Sequence, residues 1–204
     1  MLAAKTDLCK GEDSVLSGKE SMATFDPVKK LFSLLNGKIP SELNQPEPGW
    51  EPVAGIAELA HRSPKFVSAD QEKDRILIRF FRVKMDGSLR GKVCFGPLCE
   101  GPPGAAHGGS VAAVLDEAMG QSSWIAGYPV VAAKIEVNFR KPVPLQTLLW
   151  LEASVSKVEG RKVFITGRLL TPDGEILADS NGIFVILKQE DQLKIIKSLQ
   201  RPMT

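Results

Sequence analysis

Between Glu100 and Lys134 the only formally charged side chains are the neighbours Asp116 and Glu117. A stretch this long with so little charge must be covered by other protein along most of its surface. It opens with the Gly/Pro-rich loop Gly96–Gly104, passes through His107-Gly108-Gly109, and reads as one helix to about Ala126. Val111, Val114, Leu115, Ala118, Ser122 and Ile125 fall on a single helical stripe. Ala112, Ala113 and Gly120 keep the flanks small, so another element can approach closely there.

The segments on either side supply the cover. Arg75–Lys84 and Leu89–Phe95 read as a strand pair joined by the turn Met85-Asp86-Gly87-Ser88. After the helix, Val130–Phe139 alternates, with Val131, Ala133, Ile135, Val137 and Phe139 on one side and Lys134, Glu136 and Asn138 on the other. Thr147–Glu159 and Lys162–Thr171 flank the turn Glu159-Gly160-Arg161, and Pro172-Asp173-Gly174 leads into Ile176–Leu187. One long helix followed by tightly turned strands predicts an α+β fold, an antiparallel sheet wrapped around a central helix. Short hairpin turns speak against a parallel α/β sheet.

The ends are different in kind. Residues 1–24 hold few large apolar side chains and mix acidic with basic residues, which predicts a disordered tail and argues against a transit peptide. Residues 25–70 predict an N-terminal helical extension, from Asp26 (N-cap) and Pro27 to Leu35, then a Pro-rich connector with Trp50 resting on the domain. The main domain is expected over 71–188, with a polar C-terminal tail of one or two helical turns over 189–204. A net charge of +2 on 204 residues argues against a dedicated nucleic-acid binder, and no purely apolar run is long enough to span a bilayer. Three cysteines and two histidines are too few for a disulfide scaffold or a typical zinc cage, so no metal is expected. The chain is expected to be intracellular, mitochondrial or cytoplasmic.

The chemistry concentrates on the helix. A carboxylate within a helix bound for a core is costly unless it is paired or wet, and Asp116 falls on the small-residue face with Ala112, Ala113 and Gly120. The bland alternative is a solvated acid pair, Asp116 with Glu117. At the helix entry, free amides and the positive dipole end suit a carbonyl oxygen gaining charge, and the glycines let a ligand reach the backbone. By itself His-Gly-Gly is more often an ordinary cap or packing residue. His107 and Asp116 are nine residues apart, about 13 Å along a helix. That is too far for Asp116 to serve a carbonyl held at Gly108 of its own chain. Two such helices, antiparallel across a two-fold axis, would bring each acid to the other's entry.

The run Glu100–Gly120 (EGPPGAAHGGSVAAVLDEAMG) resembles the signature of hotdog-fold acyl-CoA thioesterases of the PaaI-like branch, in particular the long-chain subgroup called thioesterase superfamily members four and five. The likeness continues through Asn138-Phe139-Arg140-Lys141-Pro142-Val143-Pro144-Leu145 and Val158-Glu159-Gly160-Arg161-Lys162, covering about residues 90–187. It implies a homodimer, or a dimer of dimers, with two active sites at its interface. It also implies hydrolysis of medium- to long-chain acyl-CoA to fatty acid and coenzyme A, a reaction that requires no cofactor. In that reading Asp116 activates water or attacks the thioester, the Gly108 amide polarises the carbonyl beside Gly109, and His107 orders the loop. Asn138, Arg140, Arg161 and Lys162 match positions that hold coenzyme A. The four cations Arg140, Lys141, Arg161 and Lys162 suit a phosphate-rich nucleotide, and equally suit solvated turns. One departure stands out: where relatives place Ser or Thr after the helix, this chain has Ala132.

A Ser-triad elbow, a Walker loop and a dinucleotide fingerprint are all missing from the sequence. The competing reading is a non-catalytic acyl-CoA-binding or regulatory hotdog protein, for which Ala132 is the best support. A catalyst acting on carrier-bound acyl chains is a third, and would be indifferent to Arg161 and Lys162.

Overall fold

The computed structural model describes residues 40–53, 66–67 and 74–199. The expected tail over 1–24 and the helix from Asp26 to Leu35 lie outside the described residues. The strands are β1 (Trp50–Pro52), β2 (Ile76–Val83), β3 (Leu89–Phe95), β4 (Val130–Phe139), β5 (Leu149–Glu159), β6 (Lys162–Leu170) and β7 (Ile176–Ile186). Among the described residues two α-helices accompany them, α1 (Gly108–Ile125) and α2 (Gln189–Leu199). All seven strands join one antiparallel sheet in the order β1-β2-β3-β5-β6-β7-β4.

The inner face wraps α1, which touches β3, β4, β5, β6 and β7. Val114, Leu115, Ala118 and Met119 have no exposed surface, and alternate strand residues such as Val93, Phe95, Leu151, Val163 and Ile165 close over them. Each such side chain contributes about 1.5–3 kcal/mol by leaving water. Gly167 lets the helix sit this close. A Cβ there would stand 2.6 Å from Ser180 Oγ and 3.2 Å from Met119 Cγ.

Part of the outer face is covered by the connector. A 3-10 turn, Ser41–Asn44, seats Leu43 against Leu77 and Cys94, and β1 pairs with β2. Trp50 packs against Phe81 and Trp150, with ring centroids 5.7 and 5.6 Å away. Beneath it Lys92 is buried, and its ammonium donates to the Glu42 carbonyl (3.1 Å), the Gln45 carbonyl (2.7 Å) and Glu47 Oε1 (2.6 Å). A charge this deep is tolerated because all three of its protons are used.

Two expectations need correction. The alternation expected along all of β4 fails at its start, because a bulge shifts register between Ala132 and Lys134. Upstream of it Ala132 stands opposite Phe184 and Val131 opposite Val185, so Ala132, not Ala133, shares the inner face. The tail after residue 188 forms more than one or two turns, since α2 runs for 11 residues.

Candidate active site

The loop before α1 is a tight hairpin. Gly101 N–H donates to the Ala105 carbonyl, Ala105 N–H to the Pro102 carbonyl, and Glu100 Oε1 accepts from Gly104 N–H at 2.8 Å. Gly104 takes φ +77°, a conformation glycine adopts without strain. Ala106 N–H and His107 N–H then bond to the Val143 and Cys99 carbonyls, which fixes the helix entry.

His107 is the N-cap. Its Nδ1 accepts from Gly109 N–H at 2.9 Å, so the neutral ring carries its proton on Nε2. Ser110 N–H and Val111 N–H both donate to the His107 carbonyl. Of the first four amides, only that of Gly108 has no acceptor among the described residues. It lies beside the half-exposed ring of Phe139, whose Cζ would be 3.3 Å from a Cβ on Gly108. An acyl oxygen reaching this amide would meet a fixed dipole, with no side chain on Gly108 itself in the way.

Eight residues on, roughly 12 Å along the axis, Asp116 is half-buried on the face shared with Ala112, Ala113 and Gly120. Its carboxyl has no hydrogen-bond or ion-pair partner among the described residues, and burial holds it above its ordinary titration range. Glu117, by contrast, already has an interaction of its own.

A cavity of about 560 Å³ opens at the same helix entry, walled by Ile76, Leu98 and Cys99 and reaching His107, Gly109 and Ser110. Its lining also includes Phe66, Arg75 and Glu100, none of which the sequence had singled out. Cys99 beside His107 is a poor nucleophile, because burial pushes its thiol above the usual range. Burial likewise pushes Cys94 up to about 11.

The four expected coenzyme-A residues fall into two groups. Asn138 and Arg140 stand together at the end of β4, both bonded to Asp179 of β7. Arg161 lies at the opposite end of that strand, donating through Nε and Nη2 to the Ile186 carbonyl, with exposed Lys162 next to it. Seven residues of β7 separate Asp179 from Ile186, roughly 23 Å. One protomer does not bring the two groups together. Asp179 itself escaped the sequence reading, because an acid at an outward position of an alternating strand carries no local signal.

No group of His, Cys, Asp and Glu among the described residues is arranged to hold a metal ion, and no described helix is long and apolar enough to cross a membrane.

A seven-stranded antiparallel sheet closed around one central helix, with a glycine-flanked entry and an acid along the same helix, defines the hotdog class of α+β domains. Residues 103–178 match the thioesterase superfamily model. It is 29% identical over 139 residues to the Homo sapiens acyl-coenzyme A thioesterase THEM5, covering 62% of this chain and 56% of that protein. To the Bos taurus acyl-coenzyme A thioesterase THEM4 it is 34% identical over 96 residues, covering 47% of this chain and 39% of that one. The chain thus spans about half the length of these curated relatives. A crystal structure of a thioesterase superfamily protein superposes with a TM-score of 0.51 at 32% identity, covering 53% of this chain and 56% of that one. A hypothetical thioesterase from Streptococcus pneumoniae TIGR4, 18% identical, shares the fold with a TM-score of 0.51 over 60% of this chain and 96% of that one.

Proposed function

We propose that this chain is a thioester hydrolase that cleaves medium- to long-chain acyl-CoA to the fatty acid and free coenzyme A, working as a homodimer. The observation that carries the reading is the pairing, on one helix, of an amide at Gly108 and a carboxyl at Asp116 that have no hydrogen-bond partner among the described residues. Each lacks what the other offers, and their separation requires the second to come from a partner protomer.

In this mechanism the thioester oxygen accepts from Gly108 N–H and the neighbouring helix dipole. Asp116 of the opposite protomer, ionised, takes a proton from water as its oxygen bonds to the acyl carbon. The negative charge passes to the thioester oxygen, then returns as the carbon–sulfur bond breaks. The departing thiolate receives the proton from Asp116, so nothing is consumed but water. His107 holds the entry rigid through Gly109 and does not itself transfer a proton. The cavity beside the entry receives the acyl chain, and its volume sits in the ordinary range for such sites. Antiparallel pairing of two β4 edges would set Asn138 and Arg140 of one protomer toward Arg161 and Lys162 of the other, assembling a cationic groove for the nucleotide.

Ala132 favours a second reading. Its methyl shares the inner face with Phe184 and offers no hydroxyl to hold a water, which suits a protein that binds acyl-CoA without cleaving it. Thiol release measured from acetyl- to stearoyl-CoA, with wild type beside Asp116→Asn, separates the two. We expect the variant to lose about a hundredfold or more in kcat while its affinity for coenzyme A changes little. Near-normal turnover in the variant would remove Asp116 from the chemistry, and tight binding without release in wild type would favour the second reading. The raised carboxyl also predicts an acid limb of kcat/KM displaced upward from the ordinary carboxylate value of 3.8.

A further inference from the structure

On the outer face a row of side chains crosses five strands in register. Arg90 of β3 stands opposite Glu152 of β5, which stands opposite Arg168 of β6, then Asp179 of β7, then Asn138 of β4. The signs alternate along the charged part of the row. Glu152 lies 3.5 Å from Arg90 Nη2 and 3.8 Å from Arg168 Nη1. Asp179 therefore stands between the Arg168 cation and the neutral amide of Asn138, and Arg140 adds a positive charge at the open edge that the row itself does not balance.

How Asp179 uses its two oxygens is the informative detail. Oδ1 accepts from Asn138 Nδ2 at 2.9 Å, and Oδ2 accepts from Arg140 Nε at 2.5 Å. Binding Arg140 through Nε leaves both terminal nitrogens of its guanidinium without an acceptor among the described residues, aligned as the fork that grips a phosphate with two parallel bonds. Binding Asn138 through its amide nitrogen leaves its carbonyl oxygen without a donor among the described residues, able to accept from an amino group. Arg140 is half-exposed and Asp179 only 24% exposed, so the carboxylate is the sheltered member that holds the others.

We propose that Asp179 is the positioning residue of the nucleotide site, fixing the Arg140 fork and the Asn138 carbonyl for the phosphate-bearing half of coenzyme A. This rests on the acyl-CoA reading given above. It makes an unusual prediction of sign. An anion next to a phosphate site repels the ligand, so if Asp179 acted through charge alone its removal would tighten binding. If it acts by orientation, its removal weakens binding. Asp179→Asn keeps the shape but presents an N–H₂ group to one of two donors, releasing either Arg140 or Asn138.

The experiment compares wild type, Asp179→Asn and Asp179→Glu on an acyl-CoA and on the same acyl chain carried by pantetheine, which lacks the nucleotide. Calorimetric titration with coenzyme A and with pantetheine accompanies the kinetics. We expect Asp179→Asn to raise KM for acyl-CoA on the order of tenfold, the weight of one charge-assisted hydrogen bond. Its kcat should stay within about twofold of wild type, with the pantetheine substrate unaffected and Asp179→Glu recovering most of the loss. An unchanged or lowered KM for acyl-CoA would overturn the proposal, as would an equal rise for both substrates, which marks general damage to the fold. If wild type cleaves neither substrate, the activity reading fails alone, and the titrations decide the role of Asp179. If wild type does not bind coenzyme A either, both fall.

Discussion

At one edge of the sheet stands β1, three residues long and ending in Pro52; at the other stands β4, ten residues long, with Val131 51% and Phe139 56% exposed. The chain finishes the first edge itself. The connector lays Leu43 over Leu77 and Cys94, packs Trp50 against Phe81 and edge-on to Trp150, and spends three oxygens on the buried Lys92 ammonium. A short strand with a proline gives a foreign strand little to pair with. Among the described residues no connector covers the second edge, which carries only the bulge at its start and the exposed pair Lys134 and Glu136. The contrast suggests a division that follows from the proposed function: the β1 edge serves stability, and in the two-protomer proposal the long β4 edge, ending beside Gly108, serves assembly of the site.

The largest effect that would break this division lies at the open edge. Val131→Lys combined with Ala133→Lys places cations where natural edges carry them to prevent pairing. We expect a monomer by sedimentation and a fall in kcat/KM of about a hundredfold, the cost of reacting groups no longer held together. A monomeric variant with wild-type turnover would sink the two-protomer site. At the closed edge the effects should be on stability only. Glu47→Ala leaves the buried Lys92 ammonium without its counter-charge and should cost about 3 kcal/mol in urea unfolding. Lys92→Met removes the charge but orphans two carbonyls, at a smaller cost of about 1–2 kcal/mol. Reversal of that order, or loss of turnover with no loss of stability, would blur the comparison.

Two smaller effects follow from titration. Burial raises the Asp116 carboxyl in the folded state above its ordinary 3.8, so the fold loses stability as pH climbs through that region. Asp116→Asn removes this loss, and its Tm should draw level with or exceed wild type towards neutral pH even as turnover collapses. Asp179 is the opposite case: the Arg140 and Asn138 hydrogen bonds lower its carboxyl, so its contribution is present above 3.8 and fades as the pH falls through its depressed value. Because Arg140 is exposed, salt should erase most of it. A Tm profile of Asp179→Asn parallel to wild type down to acid pH would show that the contribution is absent.

Elements written in local periodicity were legible in the sequence. The Leu89–Phe95 strand matches in full, and α1 runs over Gly108–Ile125 where His107 to Ala126 was expected. The Met85–Ser88 turn was equally readable, with Gly87 at φ +71° and Asp86 Oδ1 accepting from Ser88. The Glu100–Gly120 signature pointed to the superfamily to which residues 103–178 match. The β4 bulge was not legible, because Ala133 is as compatible with a regular strand as with an extra residue in one. Nor was the pairing of β1, whose three residues acquire strand geometry only by resting on β2.

The order of polar and apolar residues along the chain determined by itself that one helix of low charge would be enclosed by antiparallel strands, because burial of a periodic face needs only neighbours of matching period. It also marked His107, Gly108 and Asp116, since glycine before a helix and an acid within one are visible without coordinates. Which groups share a hydrogen bond was left to the tertiary structure. Asp179 meets Asn138 and Arg140 across 41 and 39 residues of chain, and Lys92 meets Glu47 across 45. Distances that long carry no local periodicity, and only the closing of the sheet selects among the partners the sequence offers.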